Sequence, residues 1–196
     1  MKLFRGGTDA AKERYLPGLL SGQLIGCSAV TEPGGGSGVR GMRTRAVADG
    51  DGYRINGEKT FISNAPIADV IMLTALTGPQ EFTMFLVDPR EHRIETHELS
   101  KLGLTSWPLG QIVFTDTWIS LDHVIGTVGK GLRETMRGFE RARIFISTLA
   151  LGIGQAALEA SIRYSKDRLQ FDRPIGCHQL VQELVADMAT ELHASR

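Results

Sequence analysis

The sequence predicts an α+β chain of more than one domain, in which strands come first and long helices follow. From about residue 24 to residue 125, short β-rich runs are separated by turn signals, and this regular spacing favours a barrel or a sandwich. After Gly126 the apolar residues recur at threes and fours, and residues 129–168 contain no proline, which predicts one long helix. A second apolar stripe over residues 180–192 predicts another helix after a break at 171–174.

The composition argues against several classes of protein. The 196 residues include 22 basic and 22 acidic side chains, so the charge balance gives no argument for a nucleic acid or an anionic membrane. No run approaches the roughly 18 apolar residues of a membrane span, and the first residues lack the apolar core of a signal peptide. Two cysteines fit a reducing cytoplasm better than a disulfide scaffold, and the five histidines show no metal-ligand spacing. We therefore expect a cytoplasmic protein with no membrane span, no metal and no nucleic-acid partner.

Both ends of the chain are abrupt. Residues 10–20 look like the end of a helical segment, and the second predicted helix reaches the last residue without a C-cap signal. Two helices alone cannot cover their own apolar faces. We expect an excerpt of a larger protein, or half of an assembly.

The strand region contains one strong turn signal. Asn56-Gly57 lies between two short runs that begin at Tyr53 and end at Lys59, and this pattern predicts a hairpin turn. Further strands are predicted at 70–73, 82–87, 111–115 and 118–119.

The most informative segment is the loop at residues 30–38, which contains four glycines. Glycine has no Cβ and tolerates positive φ, so such a loop lets the backbone approach a ligand closely. Residues 36–41 form a G-x-G-x-x-G pattern, but the dinucleotide fingerprint requires a following helix, and residues 42–52 predict a short strand and a turn. Two hypotheses remain for the loop, a cofactor cradle or a surface loop with no ligand.

Several motifs then occur together in a fixed order. They are Thr31-Glu32-Pro33-Gly34-x-Gly36-Ser37, Gly50-Asp51-x-Tyr53-x-Ile55-Asn56-Gly57-x-Lys59, Ile62-Ser63-Asn64-Ala65, Lys101-x-Gly103, Phe114-Thr115-Asp116, Gly129-x-Gly131 and Arg168-x-x-Phe171-x-x-Pro174-Ile175-x-x-x-Gln179. Each motif is weak alone, but together they closely resemble the acyl-CoA dehydrogenase family of flavoproteins over nearly the whole chain.

The resemblance implies an architecture. Residues 1–23 would be the tail of an N-terminal helical domain, and residues 24–126 a middle β-domain. Residues 127–196 would be part of a C-terminal helical domain, with long antiparallel helices of an incomplete four-helix bundle.

The resemblance also implies an activity, the α,β-dehydrogenation of an acyl-CoA or other acyl thioester with hydride transfer to N5 of FAD. It implies a homodimer or homotetramer with the flavin shared between subunits, reoxidised by an electron-transfer flavoprotein. Two alternatives stay open. One is a non-catalytic flavin- or CoA-binding subunit, and the other is an acyl-carrier-protein dehydrogenase or a flavin oxidase of the same fold.

By resemblance, the glycine loop lies along the flavin. The implied cofactor contacts are Ser28, Val30, Thr31, Gly36 and Ser37, with Ser37 also meeting the CoA arm of the substrate. The alternative for Thr31 and Ser37 is an ST-turn that only stabilises the loop. The family commonly has aspartate where this chain has Gly38.

A second flavin-contacting segment is implied at Phe61, Ile62 and Ser63. Phe61 would pack on the flavin, and Ser63 would hydrogen-bond near N5. The alternative for Phe61 is an ordinary core aromatic.

The helical part supplies the remaining implied contacts. Glu140 and Arg143 would bind substrate, the alternative being a solvated i,i+3 ion pair. Arg168 would reach the flavin pyrophosphate of a neighbouring subunit, because its planar guanidinium suits phosphate. Phe171, His178 and Gln179 would line the same site, the alternative for His178 being a polar residue at a helix start.

No catalytic base is identified. In most family members it is a glutamate beyond the position of residue 196, and in a minority it occupies the position of Ala142, which cannot take a proton. We expect the base to be absent from these 196 residues.

Overall fold

The computed structural model describes residues 2–196 and divides into two compact units, Met1–Gly138 and Phe139–Arg196. The first unit begins with helices α1 (Lys2–Gly6) and α2 (Asp9–Ser21). Its strands are β1 (Gly26–Ala29), β2 (Arg45–Asp49), β3 (Gly52–Ser63), β4 (Val70–Gly78), β5 (Glu81–Val87), β6 (Glu95–Leu99), β7 (Leu109–Ser120) and β8 (Val124–Ile125). Helix α3 (Gly131–Asp167) begins in this unit and continues into the second, where β9 (Leu169–Gln170), β10 (Arg173–Pro174) and α4 (Gln179–Ala194) follow.

The eight strands of the first unit form one mixed sheet. Its order is β6-β7-β3-β2-β4-β5-β8, and β1 pairs in parallel with β4. Ile55 and Ile112, from the β3–β7 half, share one buried cluster with Leu73 and Phe85, from the β4–β5 half. The sheet therefore folds over a single core, which agrees with the predicted β-domain.

Helices α1 and α2 cover the opposite face of β4 and β5. Successive residues of a strand point to opposite sides, so Val70 and Leu86 face away from the main core and pack on Leu3 and Tyr15. Thr8 caps α2, because its Oγ1 accepts a hydrogen bond of 3.2 Å from the backbone N–H of Ala11. The helix expected at residues 10–20 is confirmed.

A buried carboxylate joins α2 to the end of β5. Asp88 accepts a 3.0 Å hydrogen bond from the hydroxyl of Tyr15 and two from the Arg90 guanidinium, at 2.9 and 2.7 Å. Burial raises the pKa of Asp88, but these hydrogen bonds and the Arg90 charge outweigh it and lower the pKa to about 2. The charged form of Asp88 therefore ties the helices to the sheet at neutral pH.

The hairpin predicted at Asn56-Gly57 is wrong. Strand β3 runs straight through both residues, and the turn lies at residues 50–51, where Asp49 pairs with Gly52. The Asn56 side chain instead donates to Asp116 Oδ1 and accepts from the Asp116 N–H, both at 2.9 Å. A register shift between Ile55 and Gly57 marks a bulge, and this cross-strand pairing with β7 overrides the local turn preference.

The helical prediction is confirmed in the second unit. The α4 helix runs back along α3, since Gly176 just before α4 lies near Ser165, and Leu192 near its end lies near Gly154. A Cβ built on Gly154 would lie 3.1 Å from the Leu192 Cδ1, so the two helices approach closely there. Many apolar side chains of the two helices remain exposed, among them Ile144, Phe145, Ile146, Ile153, Leu180 and Leu184.

Helix α3 is the one helix among residues 2–196 that is long and apolar enough to cross a membrane by length and composition, with a window of mean hydropathy 1.4. Core helices of soluble proteins also meet this criterion. The expectation of no membrane span is therefore not confirmed and stays a prediction, as does the proposed division at residues 23 and 126.

Gly57 is required by its conformation and its surroundings. Its φ is 147°, and a Cβ there would lie 2.6 Å from the Cα of Thr44. We expect Gly57→Ala to lower the free energy of unfolding by about 2–3 kcal/mol, because both strain and overpacking oppose the substitution.

Urea denaturation of the two variants Gly57→Ala and Gly41→Ala measures this effect. Gly41 serves as the control, since a Cβ there meets no atom within 4 Å and its φ is not positive. Equal stability of the two variants would contradict the strained and closely packed backbone at Gly57.

Candidate functional site

A buried ion pair fixes the start of the glycine loop. The Lys59 Nζ lies 2.8 Å from the Glu32 Oε1 and donates a second hydrogen bond of 3.1 Å to the Val30 carbonyl. The other contacts to the Glu32 carboxylate come from the backbone N–H groups of Arg43, at 2.6 Å, and Thr44, at 2.9 Å. The pair therefore joins the loop to β3 and to the residues that lead into β2.

The electrostatics of this pair keep the carboxylate charged. The Lys59 side chain is fully buried, and burial lowers its pKa to about 8 while the Glu32 charge opposes the shift. Burial also raises the pKa of Glu32, but the hydrogen bonds from Lys59, Thr44 and Arg43 outweigh it and leave the pKa below its usual range. Both groups are therefore ionised over the pH range that lies above the lowered pKa of Glu32 and below the Lys59 pKa of about 8, and in that range they hold each other.

The loop itself turns tightly and presents open backbone. Glu32 and Gly35 exchange two backbone hydrogen bonds, at 3.2 and 3.0 Å. A Cβ at Gly34, Gly35 or Gly38 would meet no protein atom within 4 Å, and none of the loop glycines has positive φ. The loop glycines therefore do not use the positive φ that glycine tolerates, and what they provide is free space beside the backbone.

The G-x-G-x-x-G pattern has no helix behind it. Residues Val39–Gly41 form a single 3-10 turn, and β2 follows at Arg45. The rejection of a dinucleotide-binding βαβ unit on sequence grounds is confirmed by this geometry.

The loop lies directly beside the second predicted segment. The Thr60 N–H donates a 2.9 Å hydrogen bond to the Thr31 carbonyl, which places Thr31 next to Phe61. A register shift between Lys59 and Ile62 makes a bulge there, and Phe61 has a φ of 54° with its side chain 66% exposed. Phe61 is thus not a core aromatic, whereas Ile62 is buried in the core.

Three hydroxyl groups of the loop and of the end of β3 make no hydrogen bond to the described part of the protein. In the part of the chain that the structure describes, the side chains of Thr31, Ser37 and Ser63 make no hydrogen bond to protein atoms. The ST-turn alternative for Thr31 and Ser37 is therefore not what the structure contains. Ser28 differs, because its Oγ accepts a 2.8 Å hydrogen bond from the Lys2 Nζ.

In the second unit, a short hairpin gathers the other predicted contacts. Strands β9 and β10 pair across Phe171 and Asp172, whose φ values of 53° and 58° fit a type I′ turn. The Phe171 ring is 87% exposed and meets the His178 ring edge-on at 5.9 Å between centroids. The Arg168 carbonyl accepts from the Ile175 N–H at 2.8 Å, which holds the hairpin against the end of α3.

His178 and Gln179 mark the start of α4. His178 precedes the helix but its side chain does not cap it. Its Nδ1 lies 3.2 Å from the Arg173 guanidinium and its Nε2 lies 3.4 Å from the Gln170 carbonyl. The structure thus brings Arg168, Phe171, His178 and Gln179 together around one hairpin.

Glu140 and Arg143 are exposed on α3 and do not pair with each other among residues 2–196. The ion-pair alternative is therefore not observed. Ala142 is exposed between them, and no proton-accepting side chain stands at that position.

The sequence motifs contain Glu32 and Lys59, but the motifs alone do not predict that these two side chains pair. One feature of the sequence does predict a partner for Lys59. Lys59 lies four residues after the buried Ile55 in one strand, so both side chains point to the same face of the sheet. A lysine that faces the core requires a carboxylate or carbonyl partner.

Comparison with known proteins gives two family matches in chain order. Residues 27–117 match the acyl-CoA dehydrogenase middle domain, and residues 129–196 match the acyl-CoA dehydrogenase C-terminal domain.

Individual relatives agree. A glutaryl-CoA dehydrogenase from Desulfococcus multivorans is 35% identical over 97% of this chain and 50% of its own length. The crystal structure of a glutaryl-CoA dehydrogenase from Mycobacterium smegmatis in complex with FADH2 matches with a TM-score of 0.92 and 33% identity, over 99% of this chain and 50% of that one. The structure of the prolyl acyl carrier protein oxidase AnaB matches with a TM-score of 0.91 and 32% identity, over 99% of this chain and 53% of that one.

The chain spans about half the length of these relatives. The two domain matches cover most of its residues in the order expected from the motifs. The chain belongs to the acyl-CoA dehydrogenase family.

Proposed function

We propose that this protein takes part in the FAD-dependent α,β-dehydrogenation of an acyl-CoA or a related acyl thioester. One observation carries the proposal: the hydrogen bond between the Thr60 N–H and the Thr31 carbonyl joins the glycine loop to the bulge at Phe61. An exposed aromatic ring, unpaired hydroxyls and open backbone meet there, which suits a flat, polar-edged ring system.

The residues present fit FAD. The space beside Gly34, Gly35 and Gly38 is free of protein atoms, so a ring can approach the backbone closely. Thr31 and Ser63 have hydroxyls available for the polar edge of the flavin, and Phe61 offers its face. The related glutaryl-CoA dehydrogenase from M. smegmatis, solved in complex with FADH2, supports this cofactor.

When bound, FAD supplies N5 as the acceptor of the hydride that leaves the substrate β-carbon. The protein residues bind and orient. Ser37 contacts the CoA arm from the loop, and Arg143 binds the ligand from α3 with a permanently charged guanidinium. The thioester oxygen must be hydrogen-bonded where enolate charge develops, since otherwise the α-proton is not acidic enough.

Arg168 is proposed to hold the flavin pyrophosphate of a neighbouring subunit. Its guanidinium makes no ion pair among residues 2–196, and it lies at the foot of the hairpin that exposes Phe171. The exposed apolar faces of α3 and α4 support a homodimer or homotetramer, because such faces are normally covered. An electron-transfer flavoprotein as electron acceptor, and a cytoplasmic location, are part of the same proposal.

The catalytic base is assigned to a residue outside this sequence. Ala142 occupies the position used by a minority of the family, and Glu140 lies two residues away on a different side of the helix.

A second candidate substrate has specific support. The prolyl acyl carrier protein oxidase AnaB is 32% identical to this chain, so a thioester on a carrier protein with dioxygen as acceptor is the alternative. No residue of the loop distinguishes CoA from a carrier protein's phosphopantetheine arm.

Flavin binding is tested at Gly36. A Cβ there would lie 3.5 Å from the Thr31 Cγ2, an ordinary contact, so Gly36→Ala leaves the fold intact. We expect it to weaken FAD binding roughly tenfold or more, because the added methyl occupies space next to the ring. Titration of the apoprotein with FAD, followed by flavin fluorescence, measures the affinity.

Gly41→Ala is the matched control, since a Cβ there meets no protein atom within 4 Å. If neither the original protein nor the control binds FAD, the cofactor assignment is wrong. If Gly36→Ala binds as tightly as the control, the loop does not contact the flavin.

Ligand binding is tested at Arg143. We expect an acyl-CoA to perturb the spectrum of bound FAD without bleaching it under anaerobic conditions, and Arg143→Gln to weaken this binding about tenfold. Arg163→Gln, another exposed arginine of α3, should leave it unchanged.

Bleaching by any acyl-CoA would show that the 196 residues contain a working base. A response to acyl-carrier protein alone would favour the second candidate, and no response to either thioester would contradict both.

The ion pair is tested at Lys59. We expect Lys59→Met to lower the free energy of unfolding by about 3–5 kcal/mol, because the buried Glu32 carboxylate loses its countercharge. The double variant Glu32→Gln/Lys59→Met should recover part of this loss, since the glutamine oxygen still accepts from the backbone N–H groups. Urea denaturation and FAD titration of both variants provide the measurement.

Lys166→Met, at an exposed lysine, is the control and should change stability little. A double variant no more stable than Lys59→Met would mean that the uncompensated charge is not the cause of the loss.

A further inference from the structure

A second concave site lies in the first unit, at the start of helix α3. The cavity has a volume of about 500 Å³ and is lined by residues from α1, from the segment 125–127 and from the first two turns of α3. This volume lies in the range of small-ligand sites.

The lining is strongly basic. Five basic side chains and one acidic side chain face the cavity: Lys2, Arg5, Lys130, Arg133, Arg137 and Glu134. The whole chain carries equal numbers of acidic and basic residues, so this cavity holds a local excess of positive charge. The positive end of the α3 dipole begins at Gly131 and adds to the same field.

Most of this charge is not neutralised by the protein. Glu134 pairs with Arg137 at 2.7 Å. Among residues 2–196, Arg5, Lys130 and Arg133 make no ion pair and no side-chain hydrogen bond. Three cations with free donors around one cavity match a ligand that carries several negative oxygens.

We propose that this basic pocket, lined by Arg5, Lys130 and Arg133, binds a small ligand that carries a diphosphate or triphosphate group. Guanidinium groups suit phosphate because they present a planar fork of donors, and the lysine adds a point charge. A single carboxylate would leave most of these cations unpaired, which is why the pocket fits a polyphosphate better. The proposal does not depend on the flavin chemistry.

The pocket touches the proposed flavin site at one residue, Lys2. Lys2 lines the cavity, and its Nζ donates to the Ser28 Oγ. Variants that test the pocket therefore leave Lys2 unchanged, so that failure of the pocket proposal and failure of flavin binding remain distinguishable.

The test is calorimetric titration of the full chain with inorganic pyrophosphate, with ADP and with sulfate at equal ionic strength. We expect saturable pyrophosphate binding that is tighter than sulfate binding and weakens as salt is added. The variant Arg5→Gln/Arg133→Gln should lose affinity roughly tenfold for each guanidinium removed. Arg93→Gln, an exposed arginine of the same unit outside the pocket, is the control and should bind as the original protein does.

If ADP binds more tightly than pyrophosphate, the natural ligand is a nucleotide. If the two bind equally tightly, the natural ligand is a free polyphosphate. The proposal is overturned if pyrophosphate does not saturate the protein, if sulfate binds as tightly, or if Arg93→Gln loses as much affinity as the double variant. Thermal unfolding of each variant checks that the fold is retained.

Discussion

The buried pair of Glu32 and Lys59 is the interaction on which the candidate site depends. Taking two charges out of water costs several kcal/mol per ion, and only good geometry with further hydrogen bonds offsets this. Here the Arg43 and Thr44 N–H groups and the Val30 carbonyl supply those bonds. A loop with so many glycines would otherwise lose much of its order to backbone entropy. The pair fixes one end of the loop on β3 and the other at the entry to β2, so protein contacts alone hold the loop in place.

Local patterns were enough to predict α3 and α4, and long-range pairing explains the error at Asn56-Gly57. A helix is defined by contacts three and four residues apart, so its period is visible in the sequence. A turn preference is also local, but β7 offers Asp116 to the Asn56 side chain, and the bulge lets β3 continue. The position of Asp116 is sixty residues away in sequence and leaves no trace near Asn56. The sequence therefore predicts the existence of strands better than their ends.

In the candidate site, too, some features are predicted by sequence motifs and others depend on long-range contacts. The motifs located Thr31, Phe61 and Arg168, because a family resemblance carries over positions residue by residue. They did not reveal why Thr31 and Phe61 lie together, since that rests on one backbone hydrogen bond between the loop and β3. They also did not reveal the hairpin at Phe171-Asp172, because a phenylalanine is not typical of a type I′ turn. Conformations that a residue type disfavours cannot be predicted from that type.

Two phenylalanines show what a backbone conformation with positive φ does for the side chain that it carries. Phe61 and Phe171 belong to different units, yet both have φ near 54° and both expose their rings to solvent. Positive φ costs a bulky residue of the order of 1–3 kcal/mol, and an exposed aromatic ring forgoes its burial energy. Phe171 has only the edge-on contact with His178, and neither ring is buried by the protein, so the strain comes from the neighbouring backbone, from a bulge in one case and a two-residue turn in the other. Strain of this kind persists where the backbone must aim a side chain away from the core. In the proposed function both rings meet a flavin, Phe61 that of its own subunit and Phe171 that of a neighbouring one, and the burial they lack in the isolated chain is then supplied by the cofactor and the partner.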